Sequence, residues 1–352
     1  LLGMTECEHP AYPRTEALFS HFRNVARTGS MGDFRSEGSP PYPADDAALH
    51  HIFDGGWMWV LRFQNGVVSA GVALERGVAQ ELVLSDGPSA WLRLLARFPS
   101  IQRQFESAVE IRPLAYSPNL SYRAQATSGQ NWAMLPSAAA FIDPLFSTGF
   151  PLALLGIQRL ATILTAMRNG EDVQGLLLEY GETTLAEADW TAAYISGCYC
   201  RFGSFPDFAA LSMFYFAAAS YAEMSRRLAV GGPSRFLAAD LPQVAKELTA
   251  CCKTPQKRRP PARRNKATGE SSLQRTNISP AGEKTAIRKD DGSEPLAERV
   301  ARAIAPINIA GLCDSARGNW YPVLTSDLVR SAYKLGLTPD SMLKVLESAD
   351  WM

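Results

Sequence analysis

Asp143, Ser147, Thr148 and Gly149 fall within seven consecutive positions, inside the run NWAMLPSAAAFIDPLFSTGFPLALLGI of residues 131–157. A carboxylate, two hydroxyls and a glycine ahead of an apolar stretch make a loop suited to an anionic or polar ligand. Serine or threonine before the first apolar-periodic residue, with Pro151 in the first turn, predicts a helix start, here for a helix over 151–167. A helix start exposes unpaired N–H groups and the positive end of the macrodipole, so it attracts phosphate, a halide or an electron-rich ring edge. Residues 132–135 read as a strand that enters the loop through a small-residue turn. The plainer reading is a strand-to-helix loop whose Ser and Thr only cap the helix.

The remaining reactive side chains are less productively placed. Six cysteines, Cys7, Cys198, Cys200, Cys251, Cys252 and Cys313, have spacings wrong for zinc. Cys-Tyr-Cys and adjacent Cys-Cys lack the gap that lets two thiolates reach one ion, so no metal site is expected. Free thiols in a reducing cytosol are the better reading, and with them a cytoplasmic location. His50 and His51 are adjacent, and successive strand residues face opposite ways, so at most one can reach any pocket. The pair is expected at the rim of a sheet.

A hairpin is the element expected beside the loop. Residues 49–74, LHHIFDGGWMWVLRFQNGVVSAGVAL, place apolar β-formers on both sides of Asn65-Gly66. Asn-Gly in that setting predicts a tight turn in which both residues accept positive φ, pairing 57–63 with 67–74. Trp57 and Trp59 then share one sheet face and Met58 takes the other, most simply as core packing.

Together these two segments resemble the FAD-dependent monooxygenases of the para-hydroxybenzoate hydroxylase type, and within them the flavin-dependent halogenase branch. The resemblance assigns Asp143, Pro144, Ser147, Thr148 and Gly149 to the second flavin-binding motif. Asp-Pro would meet the ribityl and pyrophosphate part of FAD, Ser-Thr-Gly would lie against the isoalloxazine ring, and a halide would sit near Thr148 and Gly149. GWMWVLRF is similar to the halogenase signature Gly-Trp-x-Trp-x-Ile-Pro, with Leu61 and Arg62 in the places of Ile and Pro. Trp57, Trp59 and Phe146 are therefore the candidate halide or substrate tunnel residues. Phe146 stands where tryptophan-type halogenases carry Glu and phenol- and pyrrole-type enzymes carry Phe, which argues against a tryptophan substrate. The implied activity is oxidation or halogenation of an electron-rich small molecule by reduced FAD and oxygen, with a flavin reductase as electron donor.

An FAD enzyme of this kind also needs a strand, a Gly-x-Gly-x-x-Gly turn and a helix around the pyrophosphate. No such sequence occurs in this chain. The expected fold is therefore α/β (an α+β fragment), the C-terminal part of the family fold, with the family's catalytic lysine upstream. Residues 1–130 would form the substrate-domain β-sheet, 131–170 the flavin-contacting strand-loop-helix, and 171–252 a helical region with helices over 184–200 and 205–228. Residues 253–270, KTPQKRRPPARRNKATGE, hold seven Lys or Arg. Such a composition cannot offset ordering entropy, so 253–295 is expected to be a basic disordered insertion. A closing helical element over 296–352 would carry an aromatic loop at Trp320 and Tyr321 and helices over 325–335 and 338–348. An inactive fragment, or a non-catalytic protein that kept the fold without cofactor, is the alternative.

The chain has 352 residues, 46% of them hydrophobic, and a formal net charge of +0. Balanced charge gives no overall pull toward nucleic acid or acidic lipid. No apolar stretch reads as approaching the roughly twenty residues needed to span a bilayer. Neither nucleic acid nor membrane is an expected partner, and the most apolar window, 208–221, is expected as a buried helix.

Overall fold

A computed structural model describes residues 5–31, 42–230, 235–253, 294–313 and 324–348. Six strands build an antiparallel sheet: β1 (Thr15–Arg23), β2 (Leu49–Phe53), β3 (Gly56–Arg62), β4 (Val68–Glu75), β5 (Val109–Glu110) and β6 (Ala115–Ser117). Their order is β2-β3-β4-β1-β5, with β6 also paired to β1. β3 and β4 are the expected hairpin, with Trp57 opposite Ala73 and Trp59 opposite Gly71. The turn differs from the expectation, because of its two residues only Gly66 is left-handed, with φ +78°. The Phe63 N–H donates to the Val67 carbonyl at 2.9 Å, and the Val67 N–H donates to Asn65 Oδ1 at 3.1 Å. The asparagine side chain thus supplies a partner that a two-residue turn would take from the backbone.

Strand alternation sorts two cores. Leu18, Met58, Val60, Ala70, Val72 and Leu74 pack with Trp91 and Leu94 of the helix Pro88–Arg97. Trp57 and Ala73 face the other way, into a core shared with the helices Gln174–Tyr199 and Phe205–Arg227. Gly71 makes room for the second tryptophan, since a Cβ there would lie 2.4 Å from the Trp59 ring and 2.3 Å from Phe19 Cβ.

The helix after the loop, Gly149–Arg168, starts slightly ahead of the expected position. It is not buried all round. Leu152, Leu155, Ile163 and Ala166 are buried, whereas Phe150, Leu154, Ile157, Leu164 and Met167 are exposed. Leu145–Arg168 is also long and apolar enough to cross a membrane by length and composition alone. That corrects the sequence expectation that no apolar stretch approaches such a length.

Other boundaries moved for local reasons. The helix Gln174–Tyr199 begins well before Thr184, which is buried in mid-helix, because the apolar period continues back through Leu176 and Leu177. The strand expected over 132–135 shrinks to Trp132–Ala133, paired with Ser128–Gly129. Pro136 opens the short helix Pro136–Ala139 and takes Leu135 with it as the preceding residue. The helix Phe205–Arg227 stands as expected and Leu296–Ile304 opens the closing element, while 325–335 divides into Thr325–Arg330 and a 3-10 turn, Ala332–Leu335, before Pro339–Ser348. Lys253 closes the helix Pro242–Lys253. The rest of the basic segment up to 293, and the loop of Trp320 and Tyr321, lie outside the described residues.

Candidate functional site

Asp143, Pro144, Ser147, Thr148 and Gly149 all line one cavity of about 440 Å³, faced on its other side by Thr184, Glu187 and Ala188. That volume suits a small organic group. Thr148 occupies the N-cap position of helix 149–168, yet no side-chain hydrogen bond caps the helix. The plainer expectation, in which Ser and Thr only cap, is therefore not what forms. A Cβ on Gly149 would meet nothing within 4 Å, so open space lies in front of the helix start.

Asp143 is a buried hub. Its Oδ1 accepts the Trp57 indole N–H at 3.2 Å and the Leu145 N–H at 3.0 Å, and its Oδ2 accepts the Tyr199 hydroxyl at 2.8 Å. Burial pushes the carboxyl up to about 6, against the pull of the hydrogen bonds from Leu145, Tyr199 and Trp57. Sequence reasoning missed Tyr199, which stands inside the Cys-Tyr-Cys that drew attention only for its sulfurs.

Trp57, Trp59 and Phe146 are not on the cavity wall. Trp57 lies behind it, its ring 5.6 Å from that of Trp59 and 4.8 Å from His50. His50 and His51 are on the edge strand β2, as expected, and they diverge: His51 Nε2 pairs with Gln104 Oε1 at 2.8 Å. Burial lowers the His50 imidazole to about 4. Phe146 turns into an aromatic group, stacked on Tyr215 at 4.7 Å and 15° and on Phe208 at 6.0 Å and 11°. Phe146 and Ser147 are both left-handed, with φ of 58° and 53°. For residues other than glycine this costs roughly 1–3 kcal/mol each, so neighbouring contacts must hold the loop.

A second feature invisible in the sequence sits at the far wall. Arg159 forms a two-pronged pair with Glu187, both contacts at 2.7 Å, and Glu187 Oε1 also accepts the Phe236 N–H at 2.9 Å. Burial acts against the Arg159 charge, but the hydrogen bonds and charge of Glu187 win and raise it. A lone arginine within an apolar helix was the available signal. All six cysteines are free thiols, and no metal-binding cluster occurs among the described residues.

The residues present fit the ring end of a flavin: open space before Gly149, uncapped first-turn N–H groups and a cavity of matching size. The sequence offers no glycine-rich turn for its pyrophosphate. The mixed sheet-and-helix scaffold is similar to that of solved flavin-dependent halogenases. Halogenase PltM in complex with phloroglucinol and FAD superposes with a TM-score of 0.60 at 25% identity, over 71% of this chain and 55% of that one. No family model matches the chain. It is 28% identical over 213 residues to the tetracycline 7-halogenase of Kitasatospora aureofaciens, covering 58% of this chain and 38% of that protein. It is 33% identical over 167 residues to the monodechloroaminopyrrolnitrin halogenase PrnC of Pseudomonas fluorescens, covering 46% and 29%. The chain is a relative of the flavin-dependent halogenases in sequence and in fold, and it spans much less than the full length of the curated relatives it matches.

Proposed function

We propose that this chain carries the ring-side half of an FAD site in a halogenase-type oxidoreductase acting on an electron-rich small molecule. The observation that carries this reading is the convergence of Asp143, Pro144, Ser147, Thr148 and Gly149 on one cavity at a helix start that no side chain caps. When bound, FAD would supply the redox chemistry with oxygen. This chain's residues would orient and shield it. The Thr148–Gly149 turn would present N–H groups to the ring edge or a halide, the Asp143 hub would hold the loop's entry, and Phe146 would anchor the turn from the aromatic group behind it. With Phe rather than Glu at position 146, the resemblance favours a phenol- or pyrrole-like substrate over tryptophan. Trp57 and Trp59 back the site from the sheet as the proposed tunnel residues, and a flavin reductase would deliver electrons. The free thiols support a cytoplasmic setting. In this arrangement the chain divides at 130, 170, 252 and 295.

Riboflavin, which has the ring and ribityl chain without pyrophosphate, provides the test. It should bind saturably, FAD should bind no tighter, and Gly149→Val should abolish both by filling the open space. Absence of saturable riboflavin binding overturns the proposal. That same result would support the second reading, a protein that kept the fold without cofactor.

A further inference from the structure

We propose that Tyr215 is a positioning residue for the Phe146–Thr148 turn, holding it in its strained shape so that the helix start faces the cavity. The inference rests on the function proposed above. Tyr215 lies in mid-helix of Phe205–Arg227, far from the loop in sequence, and is largely buried. Its hydroxyl donates to the Phe146 carbonyl at 3.1 Å, while its ring stacks on the Phe146 ring at 4.7 Å. One side chain thus grips both the main chain and the side chain of a residue held at positive φ.

The need for such a grip follows from the backbone. Two successive non-glycine residues in the left-handed region relax toward right-handed or extended conformations unless surroundings over-determine them. The loop's own bond, from the Ser147 N–H to the Pro144 carbonyl at 2.9 Å, closes only a local turn. Phe208 and Phe216 pack around the Phe146 ring, at 6.0 and 6.1 Å, without reaching its carbonyl. Release of that carbonyl would let the peptide between Phe146 and Ser147 rotate, and with it the direction of the N–H groups that follow. Tyr215 therefore acts on a ligand only through the loop.

Hydrogen exchange and riboflavin binding on the same proteins test this. Tyr215→Phe keeps the ring and stack but removes the donor. Tyr221→Phe is the control, since Tyr221 on the same helix donates to the Lys334 carbonyl at 2.8 Å, away from the loop. Tyr215→Phe should raise amide exchange over 145–150 roughly fivefold, the factor expected for one net hydrogen bond, and weaken riboflavin binding by a similar factor. Tyr221→Phe should change neither. Unchanged loop exchange in Tyr215→Phe, or equal rises in both variants, overturns the positioning role. Faster exchange only in Tyr215→Phe, with no riboflavin bound even by the unmutated protein, would support the grip on the loop while overturning the proposed function.

Discussion

The Trp57 indole N–H meets Asp143 across 86 positions of sequence, 3.2 Å from Oδ1 and 3.1 Å from the Tyr199 hydroxyl. The tryptophan-bearing hairpin and the loop ahead of helix 149–168 are thus joined by a buried polar contact as well as by apolar packing. Trp57 fills the core and orders the loop's carboxylate at once. Reading it as packing alone captures half of its role.

Tyr199→Phe removes one donor to that carboxylate and leaves the ring in place. Hydrogen bonds to a charged group contribute roughly 1.5–3 kcal/mol, so urea unfolding at pH 7.5 should show a loss of that order. A variant as stable as the parent would mean that Asp143 does not depend on this contact.

Asp143 should also leave a mark on stability against pH. Its folded value is raised from 3.8 to about 6, with burial the main cause. A carboxyl raised on folding binds its proton more tightly in the folded state, so its contribution is greatest below about 4 and is lost as pH rises to about 6. At 1.36 kcal/mol per unit, the change is on the order of 3 kcal/mol. His50, lowered from 6.5 to about 4, works in the opposite direction over an overlapping window, adding stability as pH rises. The difference between the parent and Asp143→Asn isolates the first effect. A difference in unfolding free energy that stays flat between pH 4 and 6 would contradict the buried, raised carboxyl.

The loop and the hairpin were legible because their signals are local: Asn-Gly between β-forming runs, alternate tryptophans, and small polar residues before an apolar period. What failed depended on partners distant in sequence. Thr184 followed by acidic residues has the composition of a helix start, but Thr184 is buried in mid-helix and the helix begins at Gln174. Thr148 has the identity of a cap and the position of a cap without the bond, because its backbone is already helical, with φ −57° and ψ −25°. Tyr199, Tyr215 and Glu187 reach the site from helices whose packing no motif announces.

Arg159 and Glu187 make a test of that hidden packing. Arg159→Met leaves Glu187, 1% exposed, with one of its strong partners gone. Breaking a buried pair from one side typically costs about 3–5 kcal/mol, whereas replacing both members by apolar residues is often neutral. Because the Arg159 side chain is 24% exposed, the lower end of that range applies. Arg159→Met should therefore be less stable than the double variant Arg159→Met/Glu187→Met. The reverse order, measured by chemical denaturation, would show that Glu187 is held by the backbone N–H of Phe236 alone.

Thr148→Val separates the two readings of the loop by stability before any ligand is added. If Thr148 were a working cap, losing its hydroxyl would cost about 1 kcal/mol. In the structure no such bond exists, and valine fills nearly the same space, so the unfolding free energy should stay within about 0.5 kcal/mol of the parent. Riboflavin and iodide binding should nevertheless weaken, because Thr148 lines the cavity beside the open helix start. A clear loss of stability with unchanged binding would return the Ser-Thr-Gly turn to the role of an ordinary helix cap.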